Sequence, residues 1–170
     1  MAEESCLVLV KPDGLIKSLT GNIITSLSET KLKIIGAKIV SVKRELAETH
    51  YHKLKEEKGE EIFEEVLKYI MGEYHTPRVL ALIYKGENAI EKIRTIAGKT
   101  NPEEADPTSI RGRYGRVHSK TGVFENGIHA SDSPESAEKE IKLWFAPEEI
   151  VEDIYPIKEE KEECEVKKWA

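Results

Sequence analysis

The chain has 170 residues and a net charge of −6, and its 39% of hydrophobic residues is enough for one core, so a single domain is favoured. No apolar run approaches the roughly 20 residues that cross a bilayer, and the N-terminal residues lack the basic and apolar segments of a signal peptide. Cys6 and Cys164 show no metal-type spacing, which argues against a zinc site or a disulfide framework. These features predict a protein of the reduced cytoplasm, without a membrane partner.

Apolar runs and turn residues predict the elements of the first half of the chain. The continuous apolar run at residues 7–10 predicts a buried strand, and Lys11-Pro12-Asp13-Gly14 predicts the turn that ends it. Apolar residues at helical spacing after Thr20 predict a helix that Thr20 can cap. The pattern next predicts a strand at 34–42, one helix at 46–54 and another at 60–71.

The second half begins with a predicted strand at 79–84 and a helix that Gly98 ends. Residues 99–125 are polar, and a loop of this length in a compact domain is typical of a functional segment. A brief strand at 127–130 precedes a well-marked helix, with Ser133 as its cap. This order of elements predicts an α+β fold, a two-layer sandwich with a small and mostly antiparallel sheet.

Charge is segregated along the chain. The segment 148–165 has nine acidic residues against two lysines, whereas 92–120 has seven basic residues against three acids. Arginines are prominent in the basic segment, and guanidinium groups suit bidentate contacts with phosphate. The acidic segment indicates a solvated tail. Because the wholly basic surface of a nucleic-acid-binding protein is absent, nucleic acid is disfavoured as a partner.

His129 is the sharpest candidate for chemistry. Small and polar neighbours at 126–132 would leave its ring accessible, and a histidine nucleophile needs one ring nitrogen free and the other hydrogen-bonded. A carboxylate is the usual partner, and spacing alone does not choose between Asp132 and Glu140. An imidazole near several guanidinium groups points to phosphoryl transfer through a phosphohistidine.

Basic residues elsewhere are candidates for phosphate binding. Lys11 ends a buried strand, where ligand sites often lie, although a surface charge is an equal alternative. Arg111-Gly112-Arg113 allows close backbone approach beside positive charge. The loop that follows adds further basic groups, which would either raise phosphate affinity or be solvated: Arg113, Arg116, His118 and Lys120.

Together these segments resemble the nucleoside diphosphate kinase family, from about Ser5 to about Val151. Five matches in the family's order carry the resemblance: Lys11-Pro12-Asp13-Gly14, His50-Tyr51, Gly98-Lys99-Thr100-Asn101-Pro102, Ile110-Arg111-Gly112, and Asn126-Gly127-Ile128-His129-Ala130-Ser131-Asp132-Ser133 with Glu138-Lys139-Glu140 beyond it. The resemblance implies a ferredoxin-like α/β sandwich with a four-stranded antiparallel sheet covered by helices. It also implies a catalytic domain at 1–156 and an acidic tail at 157–170.

The implied reaction passes the terminal phosphate of a nucleoside triphosphate to a nucleoside diphosphate by a ping-pong route. Mg²⁺ would bind through the nucleotide phosphates, with no metal ligands from the protein. His129 would be the nucleophile and Glu140 would orient its ring. The phosphates and ribose would be held by Lys11, Tyr51, Arg94, Thr100, Arg111 and Asn126. The resemblance further implies a homo-oligomer, a hexamer with a tetramer as the alternative.

Three features depart from the family pattern. The residue that should stack on the base aligns with either Ile62 or Phe63. The stretch between Arg111 and His129 is about five residues longer than expected, and could form a flap, a subunit contact or a solvated loop. The tail after Pro156 is acidic and is expected to be exposed apart from Trp169. Two alternative functions remain. One is a regulatory nucleotide-binding module without turnover, and the other is an interaction or nucleic-acid-binding role that uses the arginine loop.

Overall fold

A computed structural model describes residues 3–160 of the chain. Its strands are β1 (Glu3–Val10), β2 (Lys33–Val40), β3 (Val79–Glu87), β4 (Arg116–Val117), β5 (Phe124–Glu125) and β6 (Ile128–Ala130). Its helices are α1 (Pro12–Ile16), α2 (Thr20–Ser28), α3 (Arg44–His50), α4 (His52–Lys58), α5 (Glu60–Ile70), α6 (Ala89–Ala97), α7 (Ile110–Tyr114) and α8 (Pro134–Trp144). Short 3₁₀ turns lie at Pro102–Glu104 and Pro147–Glu149.

Four strands form one antiparallel sheet in the order β2-β3-β1-β6. β1 is central and pairs with β3 along its whole length, from Glu3 opposite Glu87 to Val10 opposite Leu80. The short strand β6 pairs with the last part of β1. The predicted α+β fold with a four-stranded antiparallel sheet covered by helices is therefore confirmed.

Side chains of β1 alternate between two apolar clusters on opposite faces of the sheet. Val8 and Val10 pack with α2 and α6, whereas Leu7 and Leu9 pack with α3, α5 and α8. Successive side chains of a strand point to opposite faces. A strand that is covered on both faces therefore needs a continuous apolar run, which is the run seen in the sequence. The sheet has helices on both faces, which gives three layers where the sequence predicted two.

Two predicted segments differ in detail from the structure. Residues 46–54 do not form one helix, because the chain turns at Tyr51 (φ −98°, ψ 17°) between α3 and α4. Residues 11–14 were predicted as a turn but open helix α1, with Pro12 at its first position, where proline's missing N–H has no helical partner to lose.

The long polar stretch 99–125 is largely ordered into short elements. It contains a 3₁₀ turn, helix α7 and the β4–β5 hairpin. Within residues 3–160, no helix is long and apolar enough to cross a membrane. The prediction for Trp169 lies outside the described residues, as does most of the acidic tail.

Candidate active site

His129 lies on β6 and lines a cleft of about 900 Å³. Its neighbours Ile128 and Ala130 are buried in the cluster beneath α2 and α6. The two-residue period of a strand therefore turns His129 to the opposite face. There it faces α3 and α8, with 19% of its side chain exposed.

Glu140 holds one nitrogen of the His129 ring. It lies in α8, and its Oε2 is 3.1 Å from His129 Nε2. The Ser131 hydroxyl donates a second hydrogen bond to the same oxygen, at 2.6 Å. Burial raises the pKa of the Glu140 carboxyl, but these hydrogen bonds and the His129 ring outweigh burial, so the pKa lies below its ordinary value. An ionised Glu140 accepts a hydrogen bond from Nε2–H, which leaves Nδ1 with the free lone pair.

Asp132, the other carboxylate that spacing allowed, lies at the start of α8. Its pKa is lowered first by a hydrogen bond with Ser136 and also by one with Ser133. These partners belong to the first turn of α8, so Asp132 stabilises the helix start. Glu140 is the acid at hydrogen-bonding distance from His129.

Lys11, Asn126 and Thr100 form a connected group beside His129. The Lys11 ammonium donates to Asn126 Oδ1 at 2.8 Å, and Asn126 Nδ2 donates to the Thr100 carbonyl at 2.7 Å. Burial, followed by the charge of Arg111, lowers the pKa of Lys11 to about 8. Such a lysine is a desolvated cation, and it would gain strongly from a phosphate placed against it.

Arg111 is the second buried cation of the cleft. Its two terminal nitrogens donate to the carbonyls of Gly98 (2.7 Å) and Ile128 (3.1 Å). Burial, and then the charge of Arg94, lowers its pKa to about 10. Arg94, from α6, is a third cation in the cleft lining.

Two polar atoms of the cleft are buried without a partner. Among residues 3–160, the buried side-chain atoms that make no hydrogen bond are Tyr51 Oη, Tyr84 Oη and Arg111 Nε. The first and last belong to residues that line the cleft with His129. Buried donors in folded proteins are normally satisfied, so these two unpaired donors, in a cleft that Lys11 and Arg94 also line, indicate a place for an anion.

Sequence reasoning missed the support beneath this site. Asp13 is fully buried, accepts a hydrogen bond from the Tyr69 hydroxyl and accepts another from the backbone N–H of Gly127 at 3.0 Å. Gly127 has a φ of +74°, a conformation in which glycine has no steric cost. Asp13 thus fixes the bend between Asn126 and His129. The only sequence signal was the Lys11–Gly14 motif, which as a local pattern indicated nothing more than a turn.

Several predicted residues lie away from the cleft lining. Phe63 is 6% exposed and packs in the core, whereas Ile62 on the same helix is 47% exposed. The basic residues of the long loop also point elsewhere. Arg113 donates to the Ser26 hydroxyl, Arg116 pairs with Glu125, His118 bonds Thr121, and Lys120 is exposed.

An accessible imidazole nitrogen, a carboxylate behind it and two buried cations, Lys11 and Arg111, are parts that phosphoryl transfer requires. The fold and this site together therefore define the class of a phosphotransferase.

Comparisons with known proteins agree with this class. The family model for nucleoside diphosphate kinase matches residues 4–150. The chain is 44% identical to the nucleoside diphosphate kinase of Pyrococcus furiosus over 149 residues, which cover 88% of this chain and 87% of that protein. A Listeria monocytogenes nucleoside diphosphate kinase is also 44% identical, over 87% of this chain and 92% of its own.

Solved structures give the same result. A Borrelia burgdorferi nucleoside diphosphate kinase, solved as a transition-state mimic with vanadate and ADP, superposes with a TM-score of 0.79 at 30% identity. The match covers 90% of this chain and 93% of that one. The Aquifex aeolicus nucleoside diphosphate kinase gives 0.74 at 35% identity, over 88% and 99% of the two chains. The chain belongs to the nucleoside diphosphate kinase family.

Proposed function

We propose that this protein transfers the γ-phosphate of a nucleoside triphosphate to a nucleoside diphosphate in two half-reactions, through a phosphohistidine at His129. The observation that carries the proposal is the state of its ring. Nε2 is engaged by Glu140 at 3.1 Å, and Nδ1 is left as a nucleophile in a cleft that has unpartnered donors on Tyr51 and Arg111.

In the first half-reaction the Nδ1 lone pair attacks the γ-phosphorus. An N–P bond forms, the bond from that phosphorus to the β–γ bridging oxygen breaks, and the diphosphate leaves with the electron pair. Positive charge develops on the ring, and the Glu140 carboxylate stabilises it through Nε2–H. In the second half-reaction a terminal oxygen of another diphosphate attacks the phosphorus, and the N–P bond breaks.

The remaining cleft residues bind the phosphates and the ribose. Lys11, Arg94 and Arg111 neutralise charge on the phosphate oxygens, and the Tyr51 hydroxyl and the Asn126 amide donate hydrogen bonds near the nucleophile. Thr100 anchors Asn126 through its carbonyl at 2.7 Å and offers its own hydroxyl to the nucleotide. Transfer then depends on positioning and electrostatics, with no covalent step outside His129.

Mg²⁺ fits this site as an ion carried by the nucleotide. Mg²⁺ prefers oxygen ligands in octahedral geometry and often binds through substrate phosphates. In residues 3–160 the one cluster of possible metal ligands combines His50, His129 and Glu140, and its two nitrogens suit Mg²⁺ poorly. Bound to the phosphates, the ion supplies charge neutralisation of the transferring group.

The base would be held at the edge of the cleft with low selectivity. Of the two candidates on α5, Ile62 is exposed and available to a ligand, whereas the Phe63 ring is committed to the core. An aliphatic contact recognises any base through its apolar face. Roughly equal activity with adenine, guanine and pyrimidine diphosphates would support this arrangement.

The proposal extends to the domains and the assembly of the protein. Residues 1–156 form the catalytic domain, and 157–170 form an acidic tail. The protein acts in the cytoplasm as a homohexamer, with a tetramer as the alternative. Light scattering coupled to gel filtration measures the subunit number directly.

The central test is phosphoprotein formation. Purified protein mixed with labelled MgATP should form an acid-labile, alkali-stable phosphoprotein that passes its label to added GDP. His129→Ala should abolish this and keep the native circular dichroism spectrum. His118→Ala, in the long loop, is the matched control and should behave as wild type. Normal transfer by His129→Ala would mean that the nucleophile lies elsewhere. Nucleotide binding by the wild type without any phosphoprotein would favour the regulatory module.

A further inference from the structure

His50 packs directly against the proposed nucleophile, although the pattern of residues around it indicated only a surface or packing role. The ring centroids of His50 and His129 are 4.5 Å apart, and their planes meet at 76°. His50 is the last residue of α3, immediately before the turn at Tyr51. Its ring therefore fills the space between α3 and β6 and limits how far the His129 ring can rotate.

Trp144 determines the orientation and the tautomer of His50. The indole Nε1–H donates to His50 Nδ1 at 3.2 Å, across 94 residues of sequence, and the Trp144 side chain is buried. An indole N–H is only a donor, so His50 Nδ1 must be an acceptor and the proton of the neutral ring must lie on Nε2. Burial, and then the neighbouring His129, lowers the pKa of His50 to about 3, which keeps the ring neutral near pH 7.

The same contact argues against a metal at this point. His50, His129 and Glu140 offer ligand atoms within 4.8 Å of one another, and two imidazoles with a carboxylate are a set that Zn²⁺ accepts. A ring nitrogen that carries a proton has no lone pair for a metal, however. With Nδ1 occupied by Trp144 and Nε2 protonated, His50 is suited to support the His129 ring and is not suited to ligate a cation.

We propose that His50 is a positioning residue for phosphoryl transfer: Trp144 holds it in one orientation, and its ring holds the His129 imidazole with Nδ1 towards the cleft. This inference rests on the proposed function and adds a residue to it. Although His50 also lines the cleft, in this proposal it acts on the reaction through the His129 ring. Its loss should therefore slow the chemical step and leave nucleotide binding unchanged.

The test separates chemistry from binding. His50→Ala should lower the single-turnover rate of His129 phosphorylation by MgATP about 10- to 100-fold, the loss typical of a small misplacement of a reacting group. The dissociation constant for ADP, measured by calorimetry on the unphosphorylated protein, should change by less than about threefold, because binding and chemistry are separable terms. His118→Ala, whose ring bonds Thr121 in the long loop away from the cleft lining, is the control and should keep the wild-type rate.

Trp144→Phe tests whether the indole acts through His50. It keeps an aromatic ring in the core but removes the N–H, so the phosphorylation rate should fall by less than in His50→Ala. In the double variant the increase in activation free energy should be much smaller than the sum of the two single increases, as expected for residues in one chain of contacts. ¹⁵N-histidine spectra of the wild type should show His50 as a neutral ring protonated on Nε2, and that signature should be lost in Trp144→Phe.

Four results would overturn the inference. The first two concern His50→Ala: a folded variant that phosphorylates His129 at the wild-type rate, or a rate loss matched by an equal loss of ADP affinity. The other two are additive increases in activation free energy in the double variant, and Zn²⁺ binding by the wild type that His50→Ala abolishes. Failure of the proposed function is distinct, because the wild type itself would then form no phosphohistidine from ATP.

Discussion

Replacing Glu140 by Gln removes one charge and keeps the shape of the contact. Oε2 of Glu140 accepts from both His129 Nε2 (3.1 Å) and the Ser131 hydroxyl (2.6 Å). The carbonyl oxygen of Gln placed at the same point could accept both hydrogen bonds. The variant should therefore fold normally and retain the tautomer of His129, so that it isolates the effect of the negative charge on the transfer step.

The magnitude follows from the distance. A full positive charge on the ring at 3.1 Å from the carboxylate interacts by about 5 kcal/mol at an effective dielectric constant of about 20. The transition state carries only part of that charge, and charge-assisted hydrogen bonds exceed neutral ones by about 1–2 kcal/mol. A loss of about 2 kcal/mol corresponds to a fall in kcat of about 30-fold.

The assay is steady-state transfer from MgATP to a second diphosphate, together with thermal unfolding. Glu140→Gln should lower kcat and leave KM for the nucleotides almost unchanged, since Glu140 contacts the nucleophile and not the phosphates. Asp132→Asn is the control, because the hydrogen bonds of Asp132 serve the start of α8, and its kcat should stay near wild type. A kcat for Glu140→Gln within twofold of wild type would refute the reasoning, as would an equal loss in Asp132→Asn.

Three further predictions concern pH and stability. Because the pKa of Lys11 is lowered to about 8, kcat/KM of the free enzyme should fall above about pH 8; Lys11→Gln should be less active and should lack this basic limb. Asp13→Ala leaves the Tyr69 hydroxyl and the Gly127 N–H without their buried acceptor. The free energy of unfolding, measured by urea titration, should therefore drop by about 2–4 kcal/mol. A loss below about 0.5 kcal/mol, the range of ordinary surface substitutions, would show that water replaces the carboxylate. The pKa of His50 in the folded protein, about 3, lies below its value of about 6.5 in the unfolded chain. As the pH falls from 7 to 5, only the unfolded chain therefore binds a proton at His50, and this should lower the free energy of unfolding by about 2 kcal/mol. His50→Gln should lose that part of the pH dependence, and an unchanged slope would show that other groups cause it.

Local sequence was sufficient for most of the secondary structure. The run at residues 7–10 predicted the central strand, and Ser133 predicted the start of α8, where its hydroxyl accepts the N–H of Ser136 at 3.1 Å. The break at Tyr51 was missed, because apolar spacing continues through it and no glycine or proline marks the turn. That break matters to the site, since it separates α3 from α4 and places His50 and Tyr51 at the cleft.

Candidate site residues divide in the same way. His129 could be found from its own neighbours, because small and polar residues around a histidine are visible in the sequence. Spacing could not choose between Asp132 and Glu140, since both lie within eleven residues of His129 and only the docking of α8 decides which one reaches the ring. The sequence also could not decide whether Ile62 or Phe63 is available to contact the base, because the burial of adjacent helical residues is set only when the helix packs.

By itself the sequence determined most of the elements, their order and the presence of one accessible histidine after a basic segment, because periodicity and turn chemistry act over four or five neighbouring residues. Only the tertiary structure decided which side chains meet. Asp13 reaches Gly127, Lys11 reaches Asn126, and Trp144 reaches His50 across roughly a hundred residues each. Those contacts depend on strand register and on helix docking, which are properties of the packed core and have no local signature.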